Sequence, residues 1–256
     1  MEFNLPRNMD EEFQGFPRIM TSRNYPQRIK ILHLITSLEV GGAQRGLLLG
    51  LHRFDPETYE HVICSLMDRM QMKNEFLKTG IKVRSLGLNK KTDLSAPLRL
   101  RSLIRELRPD ILHTYLLHSN ILGRIVGRLL NVPVIIGSER TIGQVRSLGR
   151  LATKLTNPLT DIVEVNSHTG AKAIKQDLGV PENKIAIIPS GLDIDEYSAN
   201  SKRFQIRSSL GLSNKQHLVL YIGRLRHVKG VDQGIKGFER VLQKHPTAHL
   251  ALAGEG

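Results

Sequence analysis

The sequence predicts an α/β fold built from doubly wound parallel sheets, and three observations support this. Short runs rich in Ile, Val and Leu recur from Arg28 onward, and stretches of helical periodicity separate them. Most of these runs do not alternate between apolar and polar residues, as expected of parallel strands buried on both faces. Strands that alternate with helices are typical of β–α–β units, so we expect the chain to cross its sheets repeatedly.

Before Ser190 the pattern predicts seven strands and six helices, which make up the first of two domains, residues 28–190. The predicted strands are Ile29–Ser37, His61–Met67, Lys82–Leu88, Asp110–Tyr115, Pro133–Ser138, Asp161–Asn166 and Lys184–Pro189. The predicted helices are Ala43–Arg53, Met72–Thr79, Ala96–Arg108, Ser119–Leu130, Gln144–Thr156 and Thr169–Leu178.

The composition changes after Ser190, which predicts a polar linker at residues 191–200 and the start of a second domain at residues 201–256. The predicted elements of that domain are helix Ser201–Leu210, strand His217–Gly223, helix Val231–Lys244 and strand Ala248–Gly254. Open α/β sheets usually have about five or more strands, and a two-stranded start cannot bury both of its faces. We therefore expect this domain to be incomplete, the chain to be C-terminally truncated, and apolar surface to be exposed here.

The composition is that of a soluble globular protein that binds anions. The chain carries 37 Lys and Arg against 24 Asp and Glu, a net charge of +13, which favours nucleic acid, phosphorylated small molecules or an anionic membrane face. The single cysteine excludes an internal disulfide and a thiolate zinc cluster, and it fits a reducing compartment. No apolar run approaches the ~20 residues that span a bilayer. Residues 1–27, a predicted disordered extension, lack the apolar region of a secretory signal, so we expect a cytoplasmic protein.

A pair of glycines, Gly41 and Gly42, follows the first predicted strand. Glycines let a ligand approach the backbone closely, and the helix that follows offers free N–H groups and the positive end of its dipole. Ligands of open α/β folds bind outside the carboxyl ends of the strands, where this turn lies. The dinucleotide fingerprint is absent because no third glycine is correctly spaced. A ligand-binding turn and a plain tight turn both remain open.

Polar residues follow the fourth and fifth predicted strands at the same edge. His113 lies near the end of strand four, where it is placed to bind substrate or carry a proton, and Asn120 lies at the start of the next helix. Arg140 follows strand five and is placed to contact a phosphate. The alternatives are a structural histidine at a strand end and a solvated loop arginine. His33, inside strand one, is predicted to be structural.

The segment from Gly223 to Gly230 is a basic loop at the end of a predicted strand. Arg224 offers a planar fork of donors and Lys229 a compact charge, a combination suited to a diphosphate. Gly223 and, after the next strand, Glu255 are assigned with these two residues to the same binding region. The alternative is an exposed basic loop without a ligand.

Two predicted helices carry basic stripes. In Gln144–Thr156 the basic residues recur every fourth position and a separate face is apolar, with Arg146, Arg150 and Lys154 on one side and Val145, Leu148, Ala152 and Leu155 on the other. The helix near residues 98–108 carries Arg99, Arg101, Arg105 and Arg108. Basic amphipathic helices bind anionic membrane surfaces, although most such stripes are solvated helix faces. The sequence leaves both interpretations open.

The order and spacing of these segments resemble the retaining glycosyltransferases of the GT-B fold, group 1 (family 4). The shared elements are Gly41-Gly42-Ala43, the Asp-Ile-Leu-His segment ending at His113, Ile187 to Asp193, Gly223-Arg224-Leu225 with Lys229-Gly230, and Gly254-Glu255-Gly256. The resemblance covers essentially everything from Arg28 onward. It implies two Rossmann-like domains that face a cleft, an N-terminal one for the acceptor and a C-terminal one for the nucleotide-sugar.

The resemblance also implies a role for each candidate residue. Arg224 and Lys229 would hold the donor diphosphate and offset the charge on the leaving nucleotide, without a required metal or cofactor. The amides of Gly41 and Gly42 would meet the donor phosphate or the acceptor, and His113 would contact the transferring sugar. Retention of configuration would follow from same-face attack, with the leaving phosphate assisting deprotonation of the acceptor.

The chain departs from the family pattern at three places. Gln44 stands where many members have Glu, and Ser190 stands where Asn is commoner. The paired glutamates that bind the donor sugar and ribose in this family would lie beyond Gly256.

The main hypothesis is a cytoplasmic, hexosyltransferase-type enzyme of cell-envelope polysaccharide synthesis. It would move sugar from a nucleotide-diphosphate donor to a lipid-linked or polysaccharide acceptor at the inner membrane face. The second hypothesis is a truncated, inactive relative that binds anionic lipid or a partner protein. Nucleic-acid binding is disfavoured, since aromatic residues make up only 5% and Trp is absent. A dinucleotide oxidoreductase is disfavoured by the missing glycine fingerprint.

Overall fold

The computed structural model describes residues 28–90, 93–140, 147–194, 202–213 and 215–256. The chain divides into two compact units, one ending at Leu192 and the other beginning at Asp193. The predicted N-terminal extension and residues 195–200 of the predicted linker lie outside the described residues.

The first unit is built on a seven-stranded parallel sheet with the order β3-β2-β1-β4-β5-β6-β7. The strands are β1 (Ile29–Ile35), β2 (Tyr59–Met67), β3 (Lys82–Leu88), β4 (Ile111–Tyr115), β5 (Val134–Ser138), β6 (Ile162–Val165) and β7 (Ile185–Ile187). The chain winds outward from β1 in one direction and from β4 in the other, which confirms the predicted doubly wound α/β fold.

The described helices of this unit connect successive strands. They are α1 (Gly42–Leu51), α2 (Lys73–Lys78), α3 (Ala96–Leu107), α4 (Leu117–Leu129), α5 (Ser147–Thr156) and α6 (His168–Leu178). Most ends lie within two residues of the prediction, and residues 144–146 at the predicted start of α5 lie outside the described residues. β1 ends at Ile35 and the backbone bends at Thr36, whose hydroxyl lies 3.0 Å from that of Ser119.

One face of the sheet packs against α3 and α4 through an aliphatic core. Its fully buried members include Leu32, Leu34, Leu100, Leu112 and Ile135. Two glycines of α4 allow the close approach. A Cβ on Gly123 would lie 2.4 Å from Thr114 Cγ2, and a Cβ on Gly127 would lie 2.7 Å from Leu112 Cδ2.

The opposite face packs against α1 and α2 at β1 and β2. The core there includes Ile35, Leu47, Leu51, Ile63 and Phe76. Successive residues of a strand point to opposite faces of a sheet. His33 of β1 and His113 of β4 are paired in register and therefore lie on this same face.

The second unit contains α7 (Lys202–Ser209), β8 (Leu218–Ile222), α8 (Val231–Lys244) and β9 (His249–Ala253), with β8 and β9 paired in parallel. This arrangement is the predicted β–α–β unit. Its strands expose apolar side chains, as expected of two strands alone: Leu220 is 54% and Ile222 76% exposed. In neither unit does a described helix have the length and apolar character needed to cross a bilayer.

Replacing Gly123 with Ala should destabilise the first unit by about 1–3 kcal/mol, since the new methyl group would overlap Thr114 and force the helix from the sheet. The measurement is the free energy of unfolding in urea. Gly46→Ala in α1 is the matched control, because a Cβ there meets no atom within 4 Å in the residues that the structure describes, and alanine favours the helix. Equal stability of the two variants would contradict the proposed packing constraint.

Candidate active site

The carboxyl ends of β1, β4, β5 and β6 lie close together at one edge of the first unit. β1 and β4 are neighbours in the sheet although they are far apart in sequence, and the winding reverses between them. In doubly wound sheets such a switch point forms the crevice in which ligands bind. The segments that follow these strands carry Gly41, Gly42 and Arg140, so the structure brings three predicted site residues to this edge.

The start of α1 is open on its outer side. Gly41 has an extended backbone, no side chain among the described residues caps the helix, and the first turn carries no acidic residue. A Cβ on Gly42 would meet no atom of the described part of the chain within 4 Å. Gln44 Nε2 donates to the Ser37 carbonyl at 2.9 Å and ties the helix to the end of β1. The result is a held helix N-terminus with space before it, which suits an anionic group.

His113 is part of a chain of hydrogen-bonded side chains. Its Nε2 lies 2.9 Å from Glu164 Oε2, and its Nδ1 lies 2.9 Å from the Tyr115 hydroxyl. Both ring nitrogens are therefore engaged within the protein, and the side chain is 16% exposed. A substrate at this position would meet the carbon edge of the ring.

Arg140 folds back onto the sheet instead of extending into solvent. Its Nη2 donates to Glu164 Oε1 at 2.5 Å and its Nε donates to Ser138 Oγ at 2.8 Å. Burial acts to raise the pKa of the Glu164 carboxyl, but His113 and Arg140 outweigh burial and the pKa lies below its ordinary value. Glu164 is thus a buried carboxylate held between an imidazole and a guanidinium.

Two further histidines extend this series of hydrogen-bonded side chains across the sheet. The Tyr115 hydroxyl lies 3.2 Å from His33 Nδ1, and His33 Nε2 lies 3.0 Å from His61 Nδ1. Burial, followed by the nearby charges of His113 and His61, lowers the pKa of His33 well below the usual histidine value. The burial of His33 fits the predicted structural role, and its contacts link it to His113 as well.

Asn120 lies on the other side of β5 and is fully buried. Its Nδ2 donates to the Ser138 carbonyl and to Glu139 Oε1, both at 3.1 Å. The buried Arg124 donates to the same Glu139 oxygen at 2.8 Å. These contacts fix the backbone just before Arg140. The structure therefore does not bring Asn120 to the open side of this edge, and its role in substrate binding remains a prediction.

The basic loop of the second unit follows β8 and is held by a tyrosine. The Tyr221 hydroxyl lies 3.4 Å from the Arg224 carbonyl and 3.2 Å from the Lys229 carbonyl. A short 3₁₀ helix, His227–Lys229, closes the loop, and Gly230 follows it at φ 70°. The side chains of Arg224 and Lys229 lie at the surface. One hydroxyl, with a single proton to donate, thus lies within reach of the backbone carbonyls at both basic positions.

Gly223 and Glu255 lie beside this loop. A Cβ on Gly254 would lie 1.8 Å from the Gly223 carbonyl oxygen, so glycine is required for the ends of β8 and β9 to approach. The Glu255 carbonyl accepts from the Leu225 N–H at 2.9 Å, while the residue itself is exposed. The four predicted residues of the second unit therefore lie together.

The sequence predictions did not include Tyr115, Glu164 or Tyr221. Each lies within a predicted strand, where a tyrosine or an isolated carboxylate looks like an ordinary strand residue. A signal existed for Glu164, since an acidic residue inside the apolar run of β6 requires a buried partner.

The surface of α5 combines exposed leucines with basic residues. Leu148, Leu151 and Leu155 are 79%, 53% and 69% exposed, whereas Thr153 and Thr156 face the protein. Arg150 and Lys154 lie next to the leucines, and Arg150 donates to Asp177 on α6 at 2.8 Å. The predicted Val145 and Arg146 lie outside the described residues.

The basic stripe of α3 is partly structural. Arg99 donates to the carbonyls of Leu86 and Gly87 at 2.7 and 3.0 Å and so anchors the helix to β3. The other three arginines of the stripe, Arg101, Arg105 and Arg108, are exposed.

Known proteins resemble this chain along most of its length. It is 26% identical over 245 residues to the Escherichia coli UDP-Gal:alpha-D-GlcNAc-diphosphoundecaprenol alpha-1,3-galactosyltransferase, covering 90% of this chain and 62% of that protein. The crystal structure of Anabaena Alr3699/HepE in complex with UDP and glucose superposes with a TM-score of 0.74 at 21% identity, over 90% of this chain and 62% of the other. A UDP-GlcNAc 2-epimerase from Neisseria meningitidis superposes with a TM-score of 0.59 at 12% identity, over 88% and 65%.

The structural matches show the GT-B fold, which glycosyltransferases share with the epimerase. The fold alone therefore does not identify the family, and the family is identified by sequence comparison. Residues 202–256 match the model of glycosyl transferases group 1, and residues 40–196 match that of glycosyltransferase family 4. The chain spans less than two thirds of the length of each of the proteins named above. Because the family 4 model, matched by residues 40–196, covers more than half of the chain, the protein belongs to glycosyltransferase family 4.

Proposed function

We propose that this protein transfers a hexose from a nucleotide-diphosphate donor to a lipid-linked or polysaccharide acceptor, with retention of configuration. The observation that carries the proposal is the basic loop from Gly223 to Gly230, in the part of the chain that matches group 1. The Tyr221 hydroxyl lies within reach of the carbonyls of both Arg224 and Lys229 in this loop. The UDP and glucose in the Anabaena structure support a sugar nucleotide as the donor. The diphosphoundecaprenol in the name of the E. coli relative supports a lipid-linked acceptor.

In this proposal the second unit, residues 201–256, binds the donor. Arg224 and Lys229 neutralise the diphosphate, and their charges become more valuable as the leaving nucleotide gains negative charge. Gly223 and Glu255 border the same loop. Because Arg224 and Lys229 each carry a positive charge, the charge on the leaving group is offset by the protein's own residues, with no metal required.

The first unit, residues 28–190, binds the acceptor in this proposal, and residues 191–200 link the two. The open start of α1 at Gly41 and Gly42 receives an anionic group of a substrate through backbone N–H groups. The ring edge of His113 contacts the transferring sugar, and the Arg140–Glu164 pair holds that ring in place. Asn120 contributes by fixing the segment that precedes Arg140.

Peripheral association with the cytoplasmic membrane face is the second part of the proposal, and α5 supports it. Three adjacent exposed leucines would be costly to leave in water, and the basic residues beside them complement anionic headgroups. A protein acting on a lipid-linked acceptor benefits from such contact. The alternative of an inactive relative rests on the same surface, and donor binding separates the two.

Arg224→Ala and Lys229→Ala should each weaken binding of a nucleoside diphosphate by about tenfold or more, since a charge-assisted hydrogen bond contributes about 1.5–3 kcal/mol. Calorimetric titration of the chain with UDP, GDP and ADP measures this loss. Arg226→Ala, in the same exposed loop, is the control and should bind like wild type. If all three variants bind nucleoside diphosphates as tightly as the wild-type protein does, the loop is not the donor site.

Gly42→Ala should reduce sugar transfer without reducing stability, because its methyl group would enter the open space before α1. Radiolabelled sugar transfer and thermal melting are measured in parallel. Gly50→Ala, on the same helix and also in open space, should leave both unchanged or slightly raise the melting temperature. Full transfer activity in Gly42→Ala would show that no substrate lies at this turn.

Replacing Leu148, Leu151 and Leu155 together with Ser should weaken binding to vesicles of phosphatidylcholine and phosphatidylglycerol by about tenfold or more, as apolar burial is lost. Co-sedimentation measures the bound fraction. The control replaces Leu94 and Leu98, exposed by 93% and 66%, with Ser. If the wild-type protein binds pure phosphatidylcholine vesicles equally well, an electrostatic contribution to membrane binding is ruled out. If the triple variant binds as well as wild type, a contribution of the three leucines is ruled out.

A further inference from the structure

Five side chains on one face of the sheet form an unbroken line of hydrogen-bonding groups. The line starts at His61 on β2, passes through His33 on β1 and through Tyr115 and His113 on β4, and ends at Glu164 on β6. Its successive contacts measure 3.0, 3.2, 2.9 and 2.9 Å. Every member except Glu164 has both a donor and an acceptor when neutral, so the protons along the line determine one another.

The direction of the line is set at the Glu164 end. The carboxyl pKa is below its ordinary value, so Glu164 is ionised and can only accept. Arg140, which donates to the other carboxylate oxygen, can only donate. The nitrogen of His113 that faces Glu164 must therefore be Nε2–H, since two lone pairs would otherwise face each other.

The middle of the line contains neutral groups. Burial raises the pKa of Tyr115 well above its ordinary value, so its oxygen keeps its proton. Burial and the adjacent histidines lower the pKa of His33, so that ring carries a single N–H. With His113 neutral, its Nδ1 accepts from Tyr115, the Tyr115 oxygen accepts from His33 Nδ1–H, and His33 Nε2 accepts from His61 Nδ1–H.

The far end supports this direction. His61 Nε2 is buried and has no hydrogen-bond partner among the described residues. In the direction just derived, that atom is an acceptor. Reversing the line would require a cationic His113 and would make His61 Nε2 a buried donor without a partner. Buried N–H groups without a partner are rarer than acceptors that lack one.

We propose that Glu164, Tyr115, His33 and His61 are positioning residues that hold the His113 imidazole as the Nε2–H tautomer through one directional chain of hydrogen bonds. The chain presents a fixed ring edge at the carboxyl end of β4, with neither nitrogen available to rotate toward a ligand. It also couples distant residues, because a change at Glu164 on β6 alters the tautomer of His33 on β1, three strands away. The inference goes beyond the proposed function, and its test requires neither donor nor acceptor.

The test is ¹⁵N NMR of the intact chain labelled at its ten histidines, recorded at about pH 8, above the ordinary histidine pKa of about 6.5. Ring nitrogens with and without a proton are separated by their chemical shifts, and single His→Gln variants assign the signals. We expect a protonated Nε2 and an unprotonated Nδ1 for His113, with the reverse for His33. Any other protonation pattern at either ring overturns the proposal.

Two variants test the coupling. Glu164→Gln keeps the size of the side chain, and because Arg140 can only donate, the Gln oxygen should face Arg140 and its N–H₂ should face His113. Both His113 and His33 should then shift toward the opposite tautomers. Tyr115→Phe should release His33 while His113 remains Nε2–H through Glu164. Tyr59→Phe removes a hydroxyl that is not part of this line of hydrogen bonds, so it should change the tautomer of neither His113 nor His33. If His33 keeps its tautomer in Glu164→Gln, the side chains are not coupled and the proposal fails. If that variant does not fold, the protonation pattern of the wild-type protein decides whether the proposal holds.

Discussion

The pairing of β1 with β4 is the constraint on which the first unit depends. It places His33 opposite His113 and reverses the winding of the sheet, so that segments far apart in sequence share one edge. The helix α4 covers this strand pair on the other face of the sheet. It can approach the sheet closely only because its glycines face Thr114 and Leu112. A bulkier contact there would displace the strand that carries His113 and separate it from its partners.

The electrostatics of the edge follow from buried charges placed on both sides of β5. Glu164 on one face is balanced by Arg140 and hydrogen-bonded to His113, and Glu139 on the other face is paired with Arg124. Removing one partner of a buried pair leaves an uncompensated charge at low dielectric, so each pair disfavours arrangements that separate its two members. The two pairs hold the segment between Ser138 and Arg140 from opposite faces.

The second unit forms its candidate site by local contacts. Tyr221 reaches carbonyls three and eight residues further along the chain, and the remaining contact joins the ends of two adjacent strands. Spacing in the sequence is a good guide to proximity in such a loop, and the predicted residues there do lie together. The first unit differs, because His113 meets Glu164 across 51 residues and Tyr115 meets His33 across 82.

The sequence by itself determined the strands and helices, the doubly wound class, the glycine turn and the basic loop, because each is written in local periodicity or close spacing. It did not reveal that Arg140 folds inward, that Asn120 is buried beneath β5, or that a carboxylate on β6 engages both ring nitrogen and guanidinium. The exposure of the α5 leucines was equally hidden, since periodicity shows that an apolar stripe exists and not which way it faces. Those features depend on strand order and register, and only the tertiary structure decides which distant residues share an edge or a face.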